Sequence, residues 1–111
     1  MQNIVTPRPS IASTVQSAAN TASAITLAAV AGAAHHVTSI SVTVDATVTN
    51  MAVTLTDGGT VKHAWRLTGT GGMHKEFPSP LRLTAGAEVV LNVAAGGGTV
   101  VTVANLAHFC Q

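Results

Sequence analysis

The chain has 111 residues, which is enough for one domain with a modest core and too few for two. Only 8% of the residues are charged, against roughly 25% in a typical soluble protein, and the formal net charge is +1. This near-neutral balance lacks the basic patches of nucleic-acid and anionic-membrane binding, so we expect neither partner.

The low charge also predicts the surroundings of the protein. Isolated small domains stay soluble through a surface that is about 25–35% charged residues. Here Thr, Ser, Ala and Gly must cover most of the exterior, which suits contact with other protein better than contact with water. We therefore expect a subunit of an assembly. The single cysteine, Cys110, excludes an internal disulfide framework.

Residues 1–21 differ from the rest and predict an extended N-terminal arm. Pro7 and Pro9 favour an extended start, and Gln, Asn, Ser and Thr dominate the segment. We expect the arm to lie on a neighbouring subunit, with a frayed terminus as the alternative. Residues 11–16 could form a short edge strand. Residues 11–29 also carry apolar residues at helical spacing, but most of the others are mediocre helix formers.

Residues 22–111 predict the folded domain, organised around residues 37–56. Apolar residues alternate with small polar ones in both halves of this stretch, as in Ile40-Ser41-Val42 and Val53-Thr54-Leu55. Such alternation gives a strand one apolar face and one polar face. We interpret the stretch as a pair of strands. A further strand is predicted before it, at residues 23–30.

The segment after this pair predicts a hairpin. Asp57-Gly58-Gly59 is a strong turn signal, because glycine adopts positive φ without strain. The next strand is predicted at residues 60–67. Its alternation places Val61, His63, Trp65 and Leu67 on an inner face, and Lys62, Ala64 and Arg66 on an outer one. Trp65 is therefore expected in the core rather than as an exposed sugar-stacking platform.

The last third of the chain predicts four more strands or strand fragments. Residues 73–77 form a short strand that Pro78 and Pro80 should close, since proline resists a central ladder. Residues 81–83 could pair briefly, and residues 87–94 and 99–109 read as strands separated by glycines 96–98. The total is seven to nine short strands, which predicts an all-β, antiparallel sandwich or jelly roll.

The sequence contains no strong pattern of metal-ligating or catalytic residues. His35 and His36 are adjacent and face opposite sides of a strand, so they cannot both ligate one ion. His63, His74 and His108 fall on separate predicted strands, and we interpret the histidines as surface or interface residues. The four acidic residues, Asp57 included, sit at turns or strand edges where solvation explains them. We predict no enzyme activity, no cofactor and no metal site.

Three segments carry a resemblance: ITLAAVAGAAHHVTSISVTVDATVT, VTLTDGGTVKHAWRL and FPSPLRLTAGAEVVLNVAAGGG. Together they are similar to small β-rich accessory virion proteins of tailed bacteriophages, namely capsid decoration, cement or fibre components. The resemblance covers about residues 23–109 and rests on strand cadence and on the DGG and FPSPLRLTAG segments. It implies a non-enzymatic virion protein, assembled in the host cytoplasm, and it carries over no functional residues.

We therefore expect a capsid decoration or cement subunit that binds the major capsid protein or another virion protein. We also expect it to form a homo-oligomer, with a trimer favoured. The residues expected at these interfaces are Ile4, Val5, Pro7, Arg8, Pro9, Ile11, Lys62 and Arg66. The alternative is a fibre-tip or lectin-like jelly roll that binds a carbohydrate or receptor. A third possibility is a metal-dependent cupin-like enzyme that uses His63, His74 or His108.

Overall fold

The computed structural model describes residues 11–111, which form eight β-strands. They are β1 (Ile11–Gln16), β2 (Ser23–Leu27), β3 (His35–Val44), β4 (Val48–Asp57), β5 (Thr60–Gly69), β6 (Met73–Arg82), β7 (Val89–Val93) and β8 (Thr102–Cys110). The strands form two four-stranded antiparallel sheets, in the orders β1-β8-β3-β6 and β2-β7-β4-β5. The prediction of an all-β antiparallel sandwich is confirmed.

The order of the strands is nested. The first strand pairs with the last, the second with the seventh, the third with the sixth and the fourth with the fifth. A long hairpin rolled over itself into two layers gives this pairing. The jelly-roll form of the sandwich stays a prediction, and the nested pairing is the observation that favours it.

The core lies between the two sheets and follows the predicted alternation. Ile40 and Val42 of β3 and Val53 and Leu55 of β4 are fully buried, and Leu106 of β8 joins them. Most of the core consists of Val, Leu and Ile, because the chain has only three Phe and Trp residues in total. Fully burying one such side chain stabilises a fold by about 1.5–3 kcal/mol.

The interpretation of residues 37–56 as a pair of strands is wrong in its pairing. Both strands exist, but β3 belongs to one sheet and β4 to the other. Asp45 sits where the chain crosses between the layers, with its carboxylate accepting a hydrogen bond from the Val101 amide at 2.8 Å. The two apolar faces therefore meet across the core instead of side by side.

The predicted hairpin is confirmed, but the predicted faces of β5 are partly wrong. Gly58 and Gly59 connect β4 to β5, and both have positive φ, at 59° and 87°. A bulge follows, because Leu55 pairs with His63 whereas Thr56 pairs with Val61. The bulge places Val61 opposite an outward-facing residue, and its side chain is 54% exposed rather than buried.

The predicted end of β6 at the prolines is also wrong. The strand runs from Met73 to Arg82 through both Pro78 and Pro80. It tolerates them because β6 is an edge strand, and its register against β3 jumps from Glu76 to Leu81. Residues 77–80 have no partners in β3, and among the described residues no strand lies on the other side of β6. The missing amide hydrogens of the two prolines therefore interrupt no ladder.

The remaining strands agree with those predicted from the sequence. Strand β2 lies within the predicted residues 23–30, and β7 and β8 match the last two predicted strands. Strand β1 is an edge strand that pairs with β8, as the edge-strand alternative predicts. Residues 1–10 of the predicted arm lie outside the described residues, and with them Ile4, Val5, Pro7, Arg8 and Pro9.

Candidate interaction surfaces

The outer side of the β2-β7-β4-β5 sheet is almost free of charge. Strand register aligns Ala24, Asn92, Thr54 and Ala64 in one row across the four strands. We call this surface the Ala/Thr face, and its outward residues are Ala24, Thr26, Ala52, Thr54, Thr56, Val61, Ala64, Arg66, Val90 and Asn92. Arg66 is the single charged residue among these ten.

Short side chains make the Ala/Thr face flat. A shallow groove of about 380 Å³ crosses it between β2, β7 and β4, with Ala24, Ala52, Thr54 and Asn92 in its walls. The Thr56 hydroxyl is already used within the sheet, where it donates to the Val90 carbonyl oxygen at 3.3 Å. Ala and Thr lose little side-chain entropy when another surface covers them, so burying this face costs little free energy.

The outer side of the other sheet is more polar. Thr14, Asn105, Ser41 and His74 form one row across its four strands. Within this row the Thr14 hydroxyl donates to Asn105 Oδ1 at 2.6 Å. We call this surface the Ser/Asn face, and it comprises Ala12, Thr14, Gln16, Ser39, Ser41, Thr43, His74, Glu76, Val103, Asn105 and Ala107.

The histidines divide between the surface and the interior. His74 Nε2 lies 3.3 Å from the Glu76 carboxylate on the Ser/Asn face. His36 is on the outer side and stacks on Phe109 at 4.6 Å. His35 and His108 are buried instead, so their interpretation as surface residues is wrong.

The buried histidines meet near the end of the β1-β8-β3-β6 sheet. Their ring centroids are 6.5 Å apart. His108 Nε2 lies 2.9 Å from the Ser13 hydroxyl oxygen, and His35 Nε2 lies 2.7 Å from the Ala28 carbonyl oxygen. Burial lowers the pKa of His108 below its ordinary value, and repulsion from His35 lowers this pKa further.

A polar cleft opens between the edge strands β5 and β6. Its volume is about 480 Å³, and Asp57, Lys62, His63, Arg82 and Thr84 supply its polar lining. The sequence pattern missed this site, because it assigned Asp57 to a solvated turn. In the structure Asp57 is only 6% exposed. Thr84, which contacts it, lies 27 residues further along the chain, and no local signal links the two.

Trp65 and Phe77 lie next to His63 on the same side of the sandwich as the cleft. The His63 ring stacks on Trp65 at 5.7 Å and contacts Phe77 of β6 at 5.7 Å. Trp65 is half-buried and packs on the core from the edge of its sheet. The expectation of a core tryptophan is therefore only partly met, because Trp65 contacts the core but is not fully buried.

The structure does not gather the predicted interface residues into one patch. Ile11 lies on β1 at the edge of one sheet and is 61% exposed, whereas Lys62 and Arg66 lie on β5 of the other sheet. Arg66 is on the Ala/Thr face, where it donates to the Asn50 carbonyl oxygen at 3.3 Å. Lys62 lies at the bulge and lines the cleft, so it does not share the surface of Arg66 as expected.

Residues 11–111 hold no group of three His, Cys, Asp or Glu side chains placed to share a metal ion. The same residues include no helix of the length and hydrophobicity needed to cross a membrane. No protein-family model matches the sequence, and no curated protein matches it.

Proposed function

We propose that this protein is a structural virion subunit that decorates or cements a bacteriophage capsid. The observation that carries the proposal is the Ala/Thr face, where ten outward residues include one charge. Interface cores are depleted in charged residues, and a flat face of short side chains lets another protein approach the sheet closely. Only 8% of the residues of the whole chain are charged. Both observations support a function in which the protein binds other proteins.

Such a subunit would stabilise the capsid by adding protein–protein contacts, copy by copy, to the assembled lattice. Each copy would place its Ala/Thr face on the major capsid protein or another virion protein and bridge neighbouring capsomers. A protein that binds only the assembled lattice stabilises it by mass action, in proportion to the logarithm of its free concentration. A homo-oligomer, a trimer by preference, would add contacts between copies. The N-terminal arm predicted from the sequence, residues 1–21, would bridge neighbouring subunits.

The exposed sheet edges give this proposal further support. Ile11 on the edge strand β1 is 61% exposed, and no strand within residues 11–111 pairs with the outer edge of β1. An edge of this kind is a template for unwanted pairing unless a neighbour covers it. Contacts between subunits in an assembly would provide that cover.

The alternative, a fibre-tip or lectin-like module, receives less support from the aromatic residues. Sugar binding commonly uses exposed aromatic rings, and Trp65 is held half-buried between the core and His63. Neither outer face carries Trp. The assembly role therefore ranks first.

A reconstitution experiment tests the proposed function. Purified protein is mixed with capsids that lack it, and bound protein and the temperature of capsid disruption are measured. We expect saturable binding and a higher disruption temperature. Absence of binding to every virion part, heads and tails included, would overturn the proposal.

A further inference from the structure

Four of the five Lys and Arg residues of the chain lie on two edge strands that meet at one side of the sandwich. Strand β5 carries Lys62 and Arg66, and strand β6 carries Lys75 and Arg82. With one acidic residue, Glu76, the two strands have a formal charge of +3 when their histidines are neutral. The rest of residues 11–111 holds three acidic residues and no Lys or Arg. The positive charge is therefore concentrated on one side, which we call the β5–β6 side.

These four cations are available to a partner. Their side chains are exposed, and within residues 11–111 the sole ion pair joins His74 and Glu76, so no carboxylate there holds any of the four. Charged residues on edge strands also deter unwanted strand pairing. That purpose does not explain their distribution, because the other two edge strands, β1 and β2, carry no charge. A partner with negative charge does explain it.

Aromatic rings lie between the two strands on the same side. His63 of β5 contacts Phe77 of β6, with 5.7 Å between the ring centroids. Trp65 and Phe77 pack against the core, yet both residues keep part of their surface exposed. Lys75 lies over the Phe77 ring at 5.7 Å, and Lys62 lines the β5–β6 cleft beside His63. The β5–β6 side therefore combines accessible aromatic surface with two lysines, and aromatic residues are enriched at protein–protein interfaces.

The outer edge of β5 can accept a further strand. Strand β5 pairs with β4, and no strand within residues 11–111 pairs with its other edge. Strand β6 is a poorer template, because Pro78 and Pro80 lack amide hydrogens. An extended segment beside β5 would gain main-chain hydrogen bonds, and every second side chain would point towards the aromatic rings.

Charge and ring geometry together select the class of partner. Strand β5 of a second copy would bring Lys62 and Arg66 against the same two cations, and like charges repel across paired strands. Single-stranded nucleic acid needs free aromatic faces for stacking, whereas the His63 ring already stacks on Trp65, with 5.7 Å between the centroids and 12° between the planes. An inorganic anion would use neither the aromatic surface nor the strand edge. An acidic protein segment can use the cations, the rings and the edge.

We propose that the β5–β6 side binds an extended acidic segment of a partner protein, which adds a strand to the outer edge of β5. Carboxylates of the segment accept charge-assisted hydrogen bonds from Lys62 and Lys75. Its apolar side chains pack on the exposed parts of Trp65 and Phe77. This inference goes beyond the proposed docking of the Ala/Thr face on a capsid and does not rest on it.

Binding of a short capped peptide of alternating Glu and Val tests the proposal. The fluorescence of Trp65, the single Trp of the chain, and the NMR shifts of backbone amides follow the titration at low salt. We expect saturation with a Kd below about 1 mM, and shifts in β5 but not in β2, the uncharged edge of the same sheet. Binding should weaken at least about fivefold in ~0.2 M salt, because the attraction is electrostatic.

Probes of other charge test the class of partner. Peptides of alternating Gln and Val, or Lys and Val, have the same strand-forming pattern without the negative charge and should bind at least about tenfold more weakly. Absence of saturation by the Glu peptide, or equal affinity for the Gln peptide, would overturn the proposal. Tighter binding of a deoxythymidine oligonucleotide would also overturn it and assign the surface to nucleic acid.

Matched variants separate direct contact from general attraction. Lys62→Gln and Lys75→Gln should each weaken binding of the Glu peptide at least about fivefold, because each removes a charge-assisted hydrogen bond. Arg66→Gln and Arg82→Gln remove the same charge from the outer faces of the two sheets, opposite Ala52 and His36, and should weaken it less than about twofold. All four side chains are exposed, so the fold should survive every substitution. Equal losses in all four variants would show that the peptide responds only to net charge, and would overturn the proposal.

Discussion

Thr84 donates two hydrogen bonds to one oxygen of Asp57, from its hydroxyl at 2.8 Å and from its backbone amide at 3.0 Å. This contact ties the end of β4 to the loop that follows β6, and so joins elements of both sheets. It also fixes the carboxylate that lines the β5–β6 cleft. One side chain thus links the stability of the sandwich to the geometry of its cleft.

Removing the hydroxyl of Thr84 should destabilise the fold. Thr84→Val keeps the shape of the side chain but loses one of the two donors to Asp57, and a hydrogen bond to a charged group contributes about 1.5–3 kcal/mol. We expect a decrease of that size in the free energy of unfolding, measured by urea denaturation. Thr84→Ser retains the hydroxyl and is the control. Similar losses for the two variants would contradict this role of the hydroxyl.

Because of the bulge in β5, we expect alanine substitutions of Val53 and Val61 to lower the free energy of unfolding by different amounts. Val53→Ala removes two methyl groups from a fully buried site, which should cost about 2 kcal/mol of unfolding free energy. Val61→Ala should change it by less than about 0.5 kcal/mol, because the side chain is 54% exposed. Denaturation of both variants checks the prediction. A large loss for Val61→Ala would mean that this residue faces the core, as the alternation alone suggests.

Gly72 should tolerate no side chain. A Cβ at this position would collide with the Val42 carbonyl oxygen and the Thr43 Cα, and the backbone φ is 110°. Gly72→Ala should therefore destabilise the protein by more than about 3 kcal/mol. Gly71 has a similar φ of 102° with no atom near the added Cβ, so Gly71→Ala should cost only the backbone strain, about 1–3 kcal/mol. Thermal unfolding of the pair separates collision from strain, and equal melting temperatures would argue against the collision.

The buried His108 should make the protein less stable in mild acid. Its pKa in the folded state is lowered from 6.5 by burial and then by His35, so the unfolded chain binds the proton more readily. The stabilisation is complete above pH 6.5 and is lost as the pH falls towards the folded-state pKa. Urea denaturation between about pH 7.5 and 5.5 should show this decline.

A pair of histidine variants assigns the decline in stability to its source. His108→Gln removes the titrating group and should flatten the pH dependence, whereas His74→Gln, at an exposed position beside Glu76, should not. If His108→Gln retains the full slope, another group is responsible.

The proposed docking surface can be tested with one charge on each outer face. Thr54 and Ser41 are both partly exposed residues on inner strands of their sheets, the first on the Ala/Thr face and the second on the Ser/Asn face. Thr54→Lys should weaken capsid binding by at least about tenfold, because a lysine would be buried without a partner. Ser41→Lys should bind normally. The reverse pattern would assign docking to the Ser/Asn face.

Local chemistry in the sequence determined the strands of this protein. Alternation of apolar residues with Ser and Thr marks β3 and β4, since a strand turns successive side chains to opposite faces whatever it pairs with. The Gly58-Gly59 turn was equally readable, because positive φ is a property of single residues. The number of strands and the sandwich class follow from these local features.

The tertiary structure alone decided which strands pair and which polar residues meet. Strand β3 pairs with β6 and β8 and not with its sequence neighbour β4, because the two apolar faces bury more surface when they oppose each other across the core. The contact between Asp57 and Thr84 spans 27 residues, and the position of Lys62 depends on a bulge in its pairing with β4. Contacts between distant segments form only when the layers close, so no local pattern could encode the cleft.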